Sequence, residues 1–143
     1  MPPRRSGVRE FELRLDQFVE QVVPEEFNNF KKVVALDALK SILMKNPVDT
    51  GRSRNNWNVS LGTWSTKVDE EDLGGPPFGQ APDKVVAEGE AVVNKVQSGE
   101  DVFIVNNIHY INLLEDGHSE QAQNPNGMVE RTVTEIELHY GGR

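Results

Sequence analysis

Apolar residues near the start of the chain, Phe11, Leu15, Phe18 and Val22, recur at spacings of four and three, with Arg14, Asp16, Gln17 and Glu20 between them. That period predicts an amphipathic helix. Pro24 punctuates it and is well placed as the first-turn proline of a second helix, PEEFNNFKKVVALDALKSILMK. Glu25 and Glu26 stand at its positive end and Lys40 and Lys45 towards its negative end. Phe27, Phe30, Val34, Leu39, Ile42 and Leu43 cover a broad face, the pattern of a main helix packed on a sheet. Asn46-Pro47 ends it, because a residue before proline avoids helical angles. Val48 to Arg52 then reads as a tight turn, with Asp49 accepting from the backbone and Gly51 free to take a positive φ. Trp57, Val59 and Leu61 alternate with Asn56, Asn58 and Ser60, which predicts a half-buried strand over 55–62.

No period runs through TKVDEEDLGGPPFGQAP, residues 66–82, which join four consecutive acidic residues to a Gly/Pro cluster. A loop of that length is functional or disordered in most domains. DKVVAEGEAVVNKVQ suits a short helix capped by Asp83; Gly89 and the valines leave a strand reading open. Val102-Phe103-Ile104-Val105 is the most apolar short run and predicts a central strand. Ile108, Ile111, Leu113 and Leu114 mark a short helix closed by Gly117. After the polar stretch SEQAQNPNG, Met128, Val129, Val133, Ile136 and Leu138 predict a final amphipathic helix, although Thr132, Val133 and Thr134 also favour strands. The expected class is α+β: N-terminal helices on a small, mainly antiparallel sheet, with a short helix and a C-terminal helix after the last strand. Residues 1–9 read as a flexible basic arm, 10–140 as one domain containing the 66–82 loop, and 141–143 as a tail.

The chain has 143 residues, room for one domain with its own core. No apolar run approaches the roughly 20 residues of a membrane helix, and MPPRRSGVRE has no apolar stretch behind it to make a secretory signal. With no cysteine there is neither a disulfide framework nor a thiolate zinc site, which suits a reducing cytoplasm. The formal net charge of -8 argues against wrapping nucleic acid, since such surfaces gain affinity by releasing counterions from phosphates.

Asp49-Thr50-Gly51 is also the tripeptide of aspartic proteases, whose chemistry needs two carboxylates sharing a proton, so a hydrolase built on Asp49 would have to be a dimer. The flanks oppose it. A helix and Pro47 precede the tripeptide, and Arg52, Ser53 and Arg54 follow, where a near guanidinium would depress the acid's pKa. His109, His118 and His139 form no helical i, i+4 pair, so neither they nor Glu115 suggest zinc. No nucleophile elbow surrounds Ser119. No metal or cofactor is expected.

Two blocks, PVDTGRSRNNW at 47–57 and NNIHYINLLEDGHSEQAQNPNGMV at 106–129, together resemble the tail-completion proteins of long-tailed double-stranded-DNA phages, the minor tail protein Z group of lambda-like phages. The matching positions are Pro47, Val48, Asp49, Thr50, Gly51, Arg52, Asn56 and Trp57, then Asn106, Asn107, Tyr110, Leu114, Glu115, Gly117, Ser119, Gln121, Ala122, Gly127 and Met128. Gln123-Asn124 depart from the family pattern, which places proline directly after the alanine, so the loop before the last helix is two residues longer. The likeness covers roughly residues 25–138.

The resemblance implies a structural virion protein rather than an enzyme. It would form a homo-oligomeric ring of about six copies at the head–tail junction, assembled in the host cytoplasm. Its partners would be a head-closure or connector protein on one side and tail-tube or tail-terminator proteins on the other; the ring would be a tail-completion or head–tail joining layer of the neck, or alternatively the tail terminator capping the tube. DNA would pass the lumen without specific binding, and a negative lumen lets phosphates slide. The residues expected to fix the motif and its interface are Asp49, Thr50, Gly51, Arg52, Arg54, Trp57, Asn107, Tyr110, Glu115, Gly117, Ser119, Gln121, Gly127 and Met128. Two expectations are specific: Trp57 faces the core, and Glu115 reaches Arg52 or Arg54 within one subunit or across a joint, the competing view being that Glu115 merely solvates a helix end.

Overall fold

The computed structural model describes residues 10–13, 24–48, 50–72, 74–115 and 127–141. Its longest element is helix α1, Pro24–Lys45. Val34, Ala35, Ala38, Leu39, Ile42 and Leu43 are all buried, and their spacing of one, three, one, three and one residues draws a single stripe along the helix. Phe30 departs from the expected broad face. It lies at the margin of that stripe, 41% exposed, with its ring edge-on to Tyr140 at 5.6 Å.

Three strands form the sheet in the order β1-β3-β2, both pairings antiparallel. β3, Val102–Asn106, runs down the middle and is buried at every position. Antiparallel strands with one wet face alternate polar and apolar residues; β3 does not alternate because both of its faces are covered. Val102 and Ile104 join the helix-side core, while on the other face Phe103 meets the Trp64 ring edge-on at 5.9 Å. β2, Trp57–Leu61, pairs Trp57 with Asn106, Val59 with Ile104 and Leu61 with Val102. A turn of 3-10 helix, Arg54–Asn56, leads into it.

The other neighbour of β3 corrects the expected first helix. Glu10–Leu13 is strand β1, placing Phe11 opposite Ile104 and Leu13 opposite Val102. A buried central strand would otherwise leave a row of unpaired N–H and C=O groups along that edge, and pairing them outweighs a local helical period. Leu15, Phe18 and Val22 lie outside the described residues.

Helix α2, Asp83–Val93, settles the segment whose strand reading stayed open. Val85, Gly89 and Val93 are its buried positions, four apart. Gly89, costly in a free helix, is where α2 presses closest to its neighbours: a Cβ there would stand 2.4 Å from Leu39 Cδ2 and 3.2 Å from Val59 Cγ2. A short helix α3, Ile111–Glu115, follows the sheet, and α4, Val129–Tyr140, returns along α1. The architecture is α+β, helices packed on a small antiparallel sheet with the short and C-terminal helices after the last strand.

Polar contacts pin α4 to α1. Lys45 Nζ meets Glu135 Oε2 at 2.9 Å, and the Tyr140 hydroxyl donates to Asp37. The Asp37 hydrogen bond first, with burial and the carboxylate's charge behind it, pushes the Tyr140 pKa from 10.0 up to about 12.

Gly89→Ala is expected to destabilise the fold. Ala favours a helix by about 1 kcal/mol, but Leu39 is fully buried, and overpacking costs about 1 to 3 kcal/mol. Urea unfolding of both chains measures the sign. For Tyr140, the protonated phenol is the form the fold prefers, so its contribution is complete below the unfolded pKa of 10.0 and is lost as pH rises through about 12. Ultraviolet titration of the wild type should show a late-ionising phenol that is missing from Tyr140→Phe.

Candidate functional site

Where α1 ends, the chain turns through residues 46–56 and buries polar groups that need partners inside the protein. Asn46, fully buried, supplies three of them. Its amide donates to Ser53 Oγ at 2.8 Å and to the Pro47 carbonyl at 2.7 Å, and its Oδ1 accepts the Trp57 indole N–H at 2.7 Å. From β3, Asn106 donates to the Ser53 carbonyl at 2.7 Å and accepts from the Ile108 amide at 3.0 Å. Trp57 is 2% exposed, in the core where the alternation placed it.

The outer side of the turn holds the acidic loop. Gly51 takes φ 84°, and a Cβ there would lie 2.3 Å from the Gly74 carbonyl oxygen; only glycine fits both demands. The Gly74 amide donates to the Thr50 carbonyl at 3.0 Å. Asn55 donates to the Gly51 and Gly74 carbonyls at 2.8 and 3.1 Å. Asn56 acts like a strand neighbour to Asp69, donating to its carbonyl and accepting from its amide, each at 2.7 Å. Asn107 donates to the Ser65 and Lys67 carbonyls. Among its described residues the loop has no helix or strand, yet side chains anchor it along much of its length.

Both arginines of the turn serve the same loop, in different ways. Arg52 is half-exposed and meets Asp72 through Nε and Nη2, each at 2.9 Å, with Glu70 at 3.6 Å. Arg54 is fully buried. Its Nη atoms donate to the carbonyls of Gly74, Pro77 and Gln80 at 3.2–3.4 Å, while Nε has no partner. Burial lowers its pKa from the ordinary value. Three carbonyl dipoles gathered round one cation fix the Gly/Pro part of the loop as Arg52 fixes the acidic part.

Glu115 goes elsewhere than expected. It is 4% exposed, and its carboxylate accepts the amides of Met128 and Val129 on Oε1 at 2.7 and 2.9 Å and of Glu130 on Oε2 at 3.1 Å. Met128 stands at the N-cap of α4 with no side-chain oxygen to offer; Glu115, from α3, satisfies the first-turn amides in its place and puts a negative charge at the positive helix end. Gly127, at φ 92°, makes room, since a Cβ would come within 2.7 Å of Glu115 Oε2. The expected approach to Arg52 or Arg54 is not made within the subunit, because the free amides of α4 hold the carboxylate inside.

Of the other expected site residues, Thr50 is exposed with its hydroxyl accepting from the Arg52 amide. Tyr110 is half-buried against the core beside His109, and Met128 is fully buried. Asp49, Gly117, Ser119 and Gln121 lie outside the described residues. Sequence reasoning missed Asn46, Ser53 and Asn55. Asparagines at 46, 55, 56, 58, 106 and 107 were the available signal, since so many amides at the ends of two paired strands have backbone to satisfy. Between the loop and α2 a polar groove of ≈ 50 Å³, lined by Asn55–Asn58, Lys67, Asp69, Lys84, Val85 and Glu88, has room for water rather than a substrate.

Glu115→Ala is expected to lower stability by about 1 to 3 kcal/mol or somewhat more, the cost of leaving buried amides without an acceptor. Glu115→Gln should recover part of that loss. Chemical denaturation of the three chains orders them, and equal midpoints would remove the cap from the account of α4. No family model, curated protein or solved structure matches this chain.

Proposed function

We propose that the chain is a structural subunit of a phage neck, acting as a ring of about six copies that completes the tail end and joins it to the filled head while DNA passes through the lumen. The observation that carries this reading is the way the two blocks of the phage-like pattern interlock. Asn106 of the second block bonds Ser53 of the first. Trp57 pairs with Asn106 across the sheet, Asn107 holds the loop that Arg52 also holds, and Glu115 bonds the Gly127–Met128 end of its own block. Residues with separate roles would have no reason to form one framework.

A neck subunit has to keep its shape while DNA moves past and neighbours pull on it. The clamped loop serves that purpose. It presents Glu70, Glu71 and Asp72 as exposed carboxylates on a fixed support, and the net charge of -8 suits a surface along which phosphates slide without sticking.

The test is complementation. Particles lacking the chain should accumulate filled heads and separate tails, and added purified protein should restore joined, infectious virions, with electron microscopy showing a ring of density at the tail end. Its height in the neck distinguishes a joining layer from a tail terminator. Normal joining without the chain would overturn the proposal, and a proteolytic activity lost in Asp49→Asn would favour the dimeric hydrolase.

A further inference from the structure

Helix α1 also carries exposed apolar side chains away from its buried stripe. On the opposite face Val33, Asp37, Lys40 and Met44 follow one another at spacings of four, three and four, the repeat that lines one seam of a coiled coil. All four are exposed. Val33 and Met44 are 53% and 48% exposed and stand on either side of the Asp37 and Lys40 pair.

We propose that this seam binds the same seam of a second copy, antiparallel about a two-fold axis. The charges choose the partner and the register. In an antiparallel pair, layers form between positions whose numbers have a constant sum. A sum of 77 sets Asp37 against the partner's Lys40 and Val33 against the partner's Met44, twice each by symmetry. Every layer then joins opposite charges or two apolar side chains. Shifting by one heptad, to a sum of 70, sets Val33 against Asp37, and a parallel pair sets Asp37 on Asp37 and Lys40 on Lys40. Tyr140 takes Oδ2 of Asp37, and the second oxygen is the one left for the ammonium group.

From Val33 to Met44 the seam is about 16 Å long at 1.5 Å per residue, which places the contact among small, weak interfaces. A charged layer inside such a seam sets register at some cost in affinity. Because this contact closes at two copies, it is distinct from the head-to-tail joint of a ring. It describes the free chain and stands or falls independently of the neck reading.

Analytical ultracentrifugation should show wild-type chain passing from monomer to dimer with rising concentration. Lys40→Asp and Asp37→Lys should each weaken self-association at least about tenfold, the effect of about 1.4 kcal/mol, and an equimolar mixture of the two should associate again, since each then offers the charge the other lacks. Asp37→Lys also removes the acceptor of Tyr140, so cross-linking supplies a second readout. The chain has no cysteine, and Val33→Cys mixed with Met44→Cys should form a disulfide-linked pair faster than either variant alone. Wild type that stays monomeric to about 1 mM, the weak end of measurable association, overturns the proposal. So does self-association that Lys40→Asp leaves unchanged, or Val33→Cys that links to itself as fast as to Met44→Cys.

Discussion

Ser53 stands between two asparagines, its hydroxyl bonded by Asn46 and its carbonyl by Asn106, and the rest of the fold is arranged around that buried amide pair. Asn46 closes α1, Asn106 closes the central strand, and Trp57, bonded to Asn46, opens β2. Three elements distant in sequence therefore end at one polar point. An unmet donor or acceptor there would cost about 1 to 3 kcal/mol, so the turn tolerates few paths. Once its path is set, the carbonyls of Gly51 and Arg52 face outward to Asn55 and Asn56, whose side chains also reach the loop.

The same economy of partners explains the charged residues. Arg54, fully buried, collects carbonyls, while Arg52, at the rim, collects carboxylates. Exposed ion pairs contribute at most about 1 kcal/mol, so Arg52 sets the direction of the acidic segment more than its stability. Glu115 is the reverse case: a buried carboxylate whose counter-charge is a helix end rather than a side chain. Three backbone amides stabilise it and are stabilised by it, and the price is a glycine at position 127.

Periodicity was a good guide wherever an element faces one core. α1, β2 and α4 were legible from apolar spacing, β3 from its unbroken apolar run, and α2 only as a helix with a strand reading left open, while Trp57 could be placed inward from alternation alone. β1 was not, because Phe11 and Leu15 carry a helical spacing and nothing local announces an edge of β3 waiting for a partner. The site was legible in its members more than in its contacts. Gly51, Arg52, Arg54, Trp57, Asn107, Glu115 and Gly127 were singled out, yet the partner of Glu115 within the subunit is not the expected one. Charge suggested an arginine; the actual partner, the free amides of α4, carries no letter in a sequence. Asn46 and Ser53 were passed over for a similar reason, since a helix-ending Asn-Pro and a serine in a turn already have ordinary local explanations.

These placements separate two kinds of residue that a motif runs together. Among the described residues of the phage-like blocks, Gly51, Asn56, Trp57, Asn106, Glu115, Gly127 and Met128 are buried, and most of their polar atoms are occupied inside the chain. Residues so occupied fix the backbone; they leave little with which to touch a neighbour. In the proposed ring, contacts between subunits would fall on exposed side chains instead. The exposed apolar residues fit that division: Val68 and Phe78 on the clamped loop, Leu138 on α4, and Phe30, Val33 and Met44 on α1. Phe78 is the instructive one. It follows Pro77, whose carbonyl Arg54 holds, so an exposed aromatic ring stands on a backbone that has already lost its freedom. A contact made there avoids the ordering cost that weakens binding by mobile loops, and the interior clamp and the exterior surface become two ends of one device.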